Sequence, residues 1–175
     1  MTDGNLRPDI TDAIGESGVT VDAVIYKIAD EVQHIKTVTV EPGAEIARGL
    51  LTVIDGTIKD SVSSGCDLSV VTKGILIGAF SSSHSIQLEA HKTIRLLVQE
   101  ILQPIFKYNG DSRQAVDGLL AAMVIIAKRR KFNIQEALII IVDDILFSAE
   151  KIDPKFAEKV KICIPKEYNG FKVMP

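Results

Sequence analysis

The sequence predicts an all-α fold, a single-domain bundle of six to seven helices joined by short loops, and three observations carry that expectation. Aliphatic residues recur at three- and four-residue intervals along most of the chain, which is the rhythm of one buried helix face. Oxygen-bearing residues stand near where such runs begin, at Thr20, Asp67, Ser85, Asp111, Asn133 and Asp153, as helix N-caps do. Turn chemistry falls between the runs, at Pro42-Gly43, Ser63-Ser-Gly-Cys66 and Asn109-Gly110.

Residues 1–18 are rich in Asp, Gly, Pro and Thr and read as an N-terminal arm, with at most one short helix around Ile10 to Ile14. The helical domain spans residues 19–162. Val21, Val24, Ile25, Ile28, Val32 and Ile35 trace its first amphipathic helix. Thr37 to Glu41 favours strand by propensity but has no evident partner and reads as a connector. A second helix runs from Ala44 to about Ser61, with Ile46, Leu50, Ile54 and Ile58 one turn apart.

Asp67 caps a third helix through Phe80, apolar almost all round and therefore expected at the centre. A buried strand over Gly74 to Phe80 is the rival, set aside because a lone strand cannot satisfy its backbone groups. Ser81 to Ser85 reads as a polar linker, and the next helix carries Ile94, Leu97, Val98 and Ile101 until Pro104 ends or kinks it.

Two long aliphatic blocks follow, Gly118 to Ala127 and Ala137 to Phe147, each preceded by a capping-box signature, Asp111-Ser-Arg-Gln114 and Asn133-Ile-Gln-Glu136. Asp153-Pro154 opens a last short helix to about Lys161. Residues 163–175 form a tail in which Phe171 and Val173 can dock on a neighbour.

Composition narrows the function classes. The 175 residues are 46% hydrophobic, with 5% aromatic and no Trp, so the core must be aliphatic. A mean hydropathy of +0.21 is high for so small a chain and points to a homo-oligomer that hides apolar surface by association. A net charge of −3 gathers no nucleic acid. The basic patch Lys128, Arg129, Arg130, Lys131 ends an apolar helix, where cations complement the dipole. No apolar block reaches the length of about 20 residues that a membrane span requires. Two unspaced cysteines and a polar N-terminus suit the cytoplasm.

Reactive constellations are sparse. Glu31 and His34 have the Glu-x-x-His spacing of di-iron bundles, but His84 and His91 lack the matching glutamate, so no metal is implied. Cys66 at a helix start, with His84 or His91 as base, is the only thiol arrangement, and a small buried cysteine explains it as well. No phosphate loop, GxSxG or HExxH occurs; no catalytic residue and no cofactor are implied.

Two features remain as interaction candidates. Gly74 and Gly78, one turn apart, allow close helix approach. Asp143 and Asp144 interrupt an aliphatic helix and point about 100° apart, so both cannot enter the core; they mark an exposed face, or a polar contact to a partner or pocket. The sequence therefore points away from an enzyme, towards a helical interaction or regulatory module that self-associates through aliphatic faces and holds a protein partner. An apolar-ligand-binding helical protein or enzyme is the first alternative, with Cys66, His91 or Asp143 in its pocket. A membrane-active bundle is the second.

Overall fold

The computed structural model describes residues 20–38, 42–83 and 90–168, which form seven α-helices and no strand. They are α1 (Val21–Val38), α2 (Pro42–Ser63), α3 (Leu68–Ser83), α4 (Ala90–Lys107), α5 (Ser112–Arg130), α6 (Ile134–Ile152) and α7 (Pro154–Cys163), followed by a 3-10 turn at Lys166–Tyr168. The all-α expectation is met. The arm, the segment around Ser85 with His84, the side chain of His34, and Phe171 with Val173 lie outside the described residues.

The capping residues do what their chemistry requires. Thr20 Oγ1 accepts the amide of Ala23, Asp67 Oδ1 that of Ser69, and Asp153 Oδ1 that of Phe156. Asp111 and Asn133 each accept two first-turn amides. One half of a capping box is corrected: the Gln114 backbone amide donates to Asp111 Oδ1 as expected, but its side-chain Oε1 accepts the amide of Leu68, 2.9 Å away at the start of α3. The side chain expected to close its own helix end caps a neighbouring helix instead, 46 residues earlier in the chain.

Three helices end by one mechanism. Gly65, Asn109 and Lys131 adopt left-handed φ values of 67°, 55° and 58°. In each case the following amide bonds back five residues, Cys66 to Ser61, Gly110 to Ile105 and Phe132 to Ala127, which satisfies a terminal carbonyl.

Pro104 does not end α4, which continues to Lys107. Proline in a helix interior costs about 3 kcal/mol. Ile101, Leu102 and Ile105 around it are wholly enclosed, and full burial contributes about 1.5–3 kcal/mol per side chain, so packing wins.

α3 is central, as its all-round apolar character foretold, and packs against α1, α2, α4 and α5. Every residue from Gly74 to Phe80 is buried. Gly74 and Gly78 serve a close approach within the chain: a Cβ on Gly74 would stand 2.6 Å from Val24 Cβ, and one on Gly78 would stand 3.1 Å from the Ile25 carbonyl of α1. Gly118 does the same for α5, where a Cβ would collide with Thr72 Oγ1 and the Ser69 carbonyl of α3. At that crossing the enclosed Thr72 hydroxyl lies 2.9 Å from the Leu68 carbonyl and 3.1 Å from that of Ala115. Buried residues from all seven helices join one hydrophobic cluster.

Candidate functional site

α4 and α6 lie side by side and run in the same direction: His91 shares a groove with Ala137 and Ile140, while Arg95, one turn on, reaches Asp144. α4 is amphipathic, and His91 and Arg95 fall at the edge of its apolar stripe beside Ile94 and Val98. α6 presents Glu136, Ile140, Asp143, Asp144 and Phe147 along the seam at helical spacing.

The expectation that both aspartates mark an exposed face is corrected here. Asp143 is half exposed, but Asp144 is completely enclosed. Arg95 makes that burial tolerable: its Nε donates to Asp144 Oδ1 at 2.6 Å, and its Nη2 stands 3.5 Å from Asp143 Oδ2. A buried carboxylate with no cation would cost several kcal/mol or take up a proton. Phe147 completes the cluster, its ring approached by the Arg95 guanidinium at 4.8 Å and by Lys151 Nζ at 4.5 Å.

The electrostatics of the pair pull in two directions. Burial pushes the Asp144 carboxyl above the usual carboxylate range, and the Arg95 hydrogen bond with the nearby positive charge only partly offsets it. The same hydrogen bond holds the half-exposed Arg95 guanidinium above its ordinary value. The desolvation penalty thus falls on the enclosed carboxylate, while the short Nε to Oδ1 contact favours the ionised pair. Asp144 Oδ2 makes no hydrogen bond; His91 Nε2 lies 3.4 Å away, an ion-pair distance once the imidazole is protonated.

Beyond His91 the seam opens into an apolar groove of about 290 Å³, lined by His91, Ile94, Met123, Phe132, Glu136 and Ile140 among others. Phe132 is 45% exposed at its rim. The basic patch borders this rim, since Lys131 immediately precedes Phe132 and the Phe132 amide closes on Ala127, next to Lys128. Lys128, Arg129 and Lys131 are exposed, and Arg130 lies over the Phe80 ring at 5.4 Å.

The fold separates the other candidates. Cys66 sits at the end of the bundle where Leu68 meets Gln114, and His91 at the end where α5 finishes. A helix of 19 residues stands between them, roughly 28 Å, too far for Cys66 and His91 to cooperate; His84, the other candidate base, lies outside the described residues. Cys163 is a half-buried thiol whose Sγ donates to the Lys159 carbonyl, and burial pushes its pKa up, which disfavours the thiolate. Among the described residues no three His, Cys, Asp or Glu side chains gather closely enough to hold a metal, and no helix is long and apolar enough to cross a membrane.

Gly74 and Gly78 face α1, and Asp144 faces Arg95, so of the four residues singled out for interaction only Asp143 retains substantial exposure. The sequence reading missed Arg95 and undervalued His91. The available signal was a cation at the edge of the α4 apolar stripe, matched by an aspartate inside an aliphatic helix. The sequence matches no protein-family model and no curated protein.

Proposed function

We propose that this chain is a non-enzymatic helical interaction module, with the mouth of the α4/α6 groove as its binding face. The observation that supports this most is the juxtaposition of an open apolar groove, an exposed aromatic at its rim and a cluster of fixed charges beside it. Interfaces are built in that way: a small apolar centre receives an anchor side chain, and charged residues at the rim set orientation and partner choice. The Arg95–Asp144 pair ties α4 to α6 beside the groove, which favours a face already shaped before anything binds.

Self-association through this face is part of the proposal, as is the cytoplasm as its setting. A small apolar ligand is a weaker fit, because a groove open along one side buries a small molecule poorly whereas a protein side chain needs only its tip covered. A photo-crosslinking residue at Ile140, beside the groove, tests the reading against the same residue at Lys59, on the exposed face of α2. Discrete protein adducts in native extract are expected from position 140 and not from 59. A groove position that captures no protein would end the proposal.

A further inference from the structure

We propose that the groove is filled by a second copy of this chain, which offers the stripe Asp22, Tyr26 and Asp30 of α1. The inference rests on the groove being a binding face and names its occupant. Asp22, Tyr26 and Asp30 are all exposed and follow one another at four-residue spacing, which places them on one side of α1. Tyr26 is 64% exposed, among the most exposed of the large apolar side chains described. α1 buries its opposite side, with Val24 and Ile28 in the core and the backbone at Ile25 pressed against Gly78. The stripe therefore stands on a well-anchored helix, ready to dock without rearrangement.

Stripe and groove are complementary in shape and charge. The groove, of about 290 Å³, admits one aromatic ring between Phe132, Ile94 and Ile140. Aromatic pairs such as Tyr26 on Phe132 contribute beyond their buried area, and a tyrosine brings a hydroxyl that can donate to the Glu136 carboxylate at the rim. One turn on either side of Tyr26 an aspartate projects, and the rim beside Phe132 carries the exposed cations Lys128, Arg129 and Lys131. An acidic residue about 6 Å along the helix from the anchor falls within reach of those flexible side chains. On a chain of net charge −3 this basic rim has an acidic counterpart in the α1 stripe of the same chain. Because stripe and groove are different surfaces, a copy that has lost one still offers the other.

The test is the mass of the purified full chain by sedimentation equilibrium over a range of concentrations. Wild type is expected to associate with a dissociation constant on the order of 10–100 µM, as suits one anchor and a few rim charges. Tyr26→Ser and Phe132→Ser, both at exposed positions, are expected to keep the wild-type helical circular dichroism and to weaken association at least about tenfold. Mixing these two variants in equal amounts restores association, since an intact groove meets an intact stripe. Lys128→Glu with Lys131→Glu weakens binding, Asp22→Lys with Asp30→Lys in the partner copy recovers it, and added salt weakens the wild type.

A wild type that stays monomeric throughout, single variants that associate as well as wild type, or a mixture that stays monomeric would each overturn the proposal. If the wild type is monomeric while the residue at 140 captures a different protein, the groove remains a binding face, and both the second copy and self-association through it are wrong. A monomeric wild type that binds anionic phospholipid vesicles, and loses them on Lys128→Glu, would likewise remove the second copy as occupant.

Discussion

Asp144 on α6 has no exposed surface, and Arg95 on α4 donates to one of its oxygens from 2.6 Å away while His91 Nε2 of the same helix stands 3.4 Å from the other, so the carboxyl enclosed in the most aliphatic helix is held from α4. The Arg95 bond ties together the two helices that flank the groove.

Replacing Arg95 with Met leaves Asp144 buried without its cation. Wholly buried pairs lose about 3–5 kcal/mol when one partner is removed; here about 2–3 kcal/mol is expected, because Arg95 is itself partly solvated and Asp144 can take up a proton. The double variant Arg95→Met with Asp144→Leu should recover most of that loss, since both charges are gone together. Urea denaturation of the four proteins gives the coupling. An Arg95→Met loss below about 0.5 kcal/mol would mean that the pair does not carry the enclosed carboxylate.

The pH dependence follows from the same group. The folded-state pKa of Asp144 is raised, so the native state holds this proton more tightly than the unfolded chain does. Its contribution to stability is fully present below the unfolded value of about 3.9 and is lost as pH rises through the raised folded value. Glu100, raised by burial, acts in the same direction. Asp55 acts oppositely: burial alone would raise it, but hydrogen bonds from Tyr108 and Lys107 outweigh that and lower it, so its contribution is lost as pH falls through the folded value. In Asp144→Asn the decline on the rising limb should shrink relative to wild type. Parallel stability curves for the two proteins from pH 3 to 7 would contradict this assignment of the proton.

Glycine substitutions separate open positions from close crossings. Gly56 lies within α2 and a Cβ there meets nothing within 4 Å, so Gly56→Ala should stabilise by about 0.5–1 kcal/mol. Gly74→Ala and Gly118→Ala force α3 away from α1 and α5 and should destabilise by about 1–3 kcal/mol or more. At this chain length each kcal/mol moves the melting temperature by about 2–4 °C. Equal shifts at positions 56 and 74 would contradict the packing described.

Lys131 closes α5 in a left-handed conformation that a side chain disfavours by about 1 kcal/mol, so Lys131→Gly should stabilise the fold by up to that amount. The readout is again the melting temperature, and a decrease would argue that the Lys131 side chain makes a contact worth more than the backbone strain.

Gln114→Ala removes the bond that caps a neighbouring helix. A loss of about 1 kcal/mol is expected, together with faster hydrogen exchange at the Leu68 amide. Unchanged exchange at Leu68 would place that amide's partner elsewhere.

The helices, their caps and the central place of α3 could be read from the chain because each depends on local rules. Helical spacing of Val, Ile and Leu reports one buried face wherever that face ends up, and Asp111, Asn133 and Asp153 bind amides two or three residues away. Pro104 does not stop its helix, because its penalty is local while the burial that overrides it comes from other helices. The candidate site was far less legible. Whether Asp144 points outward or inward depends on which residue faces it, and Arg95 stands 49 positions earlier in the chain.

By itself, then, the sequence determined where this protein is helical and which faces are apolar, because periodicity and capping act within a few residues. Only the tertiary structure decided that Gly74 and Gly78 are used up against α1, that Gln114 caps α3, and that Asp144 is buried beside a groove. Those outcomes turn on which helix lies against which. That choice is made by the shape and charge of whole faces meeting across the core, and no local stretch of the chain contains both sides of the contact.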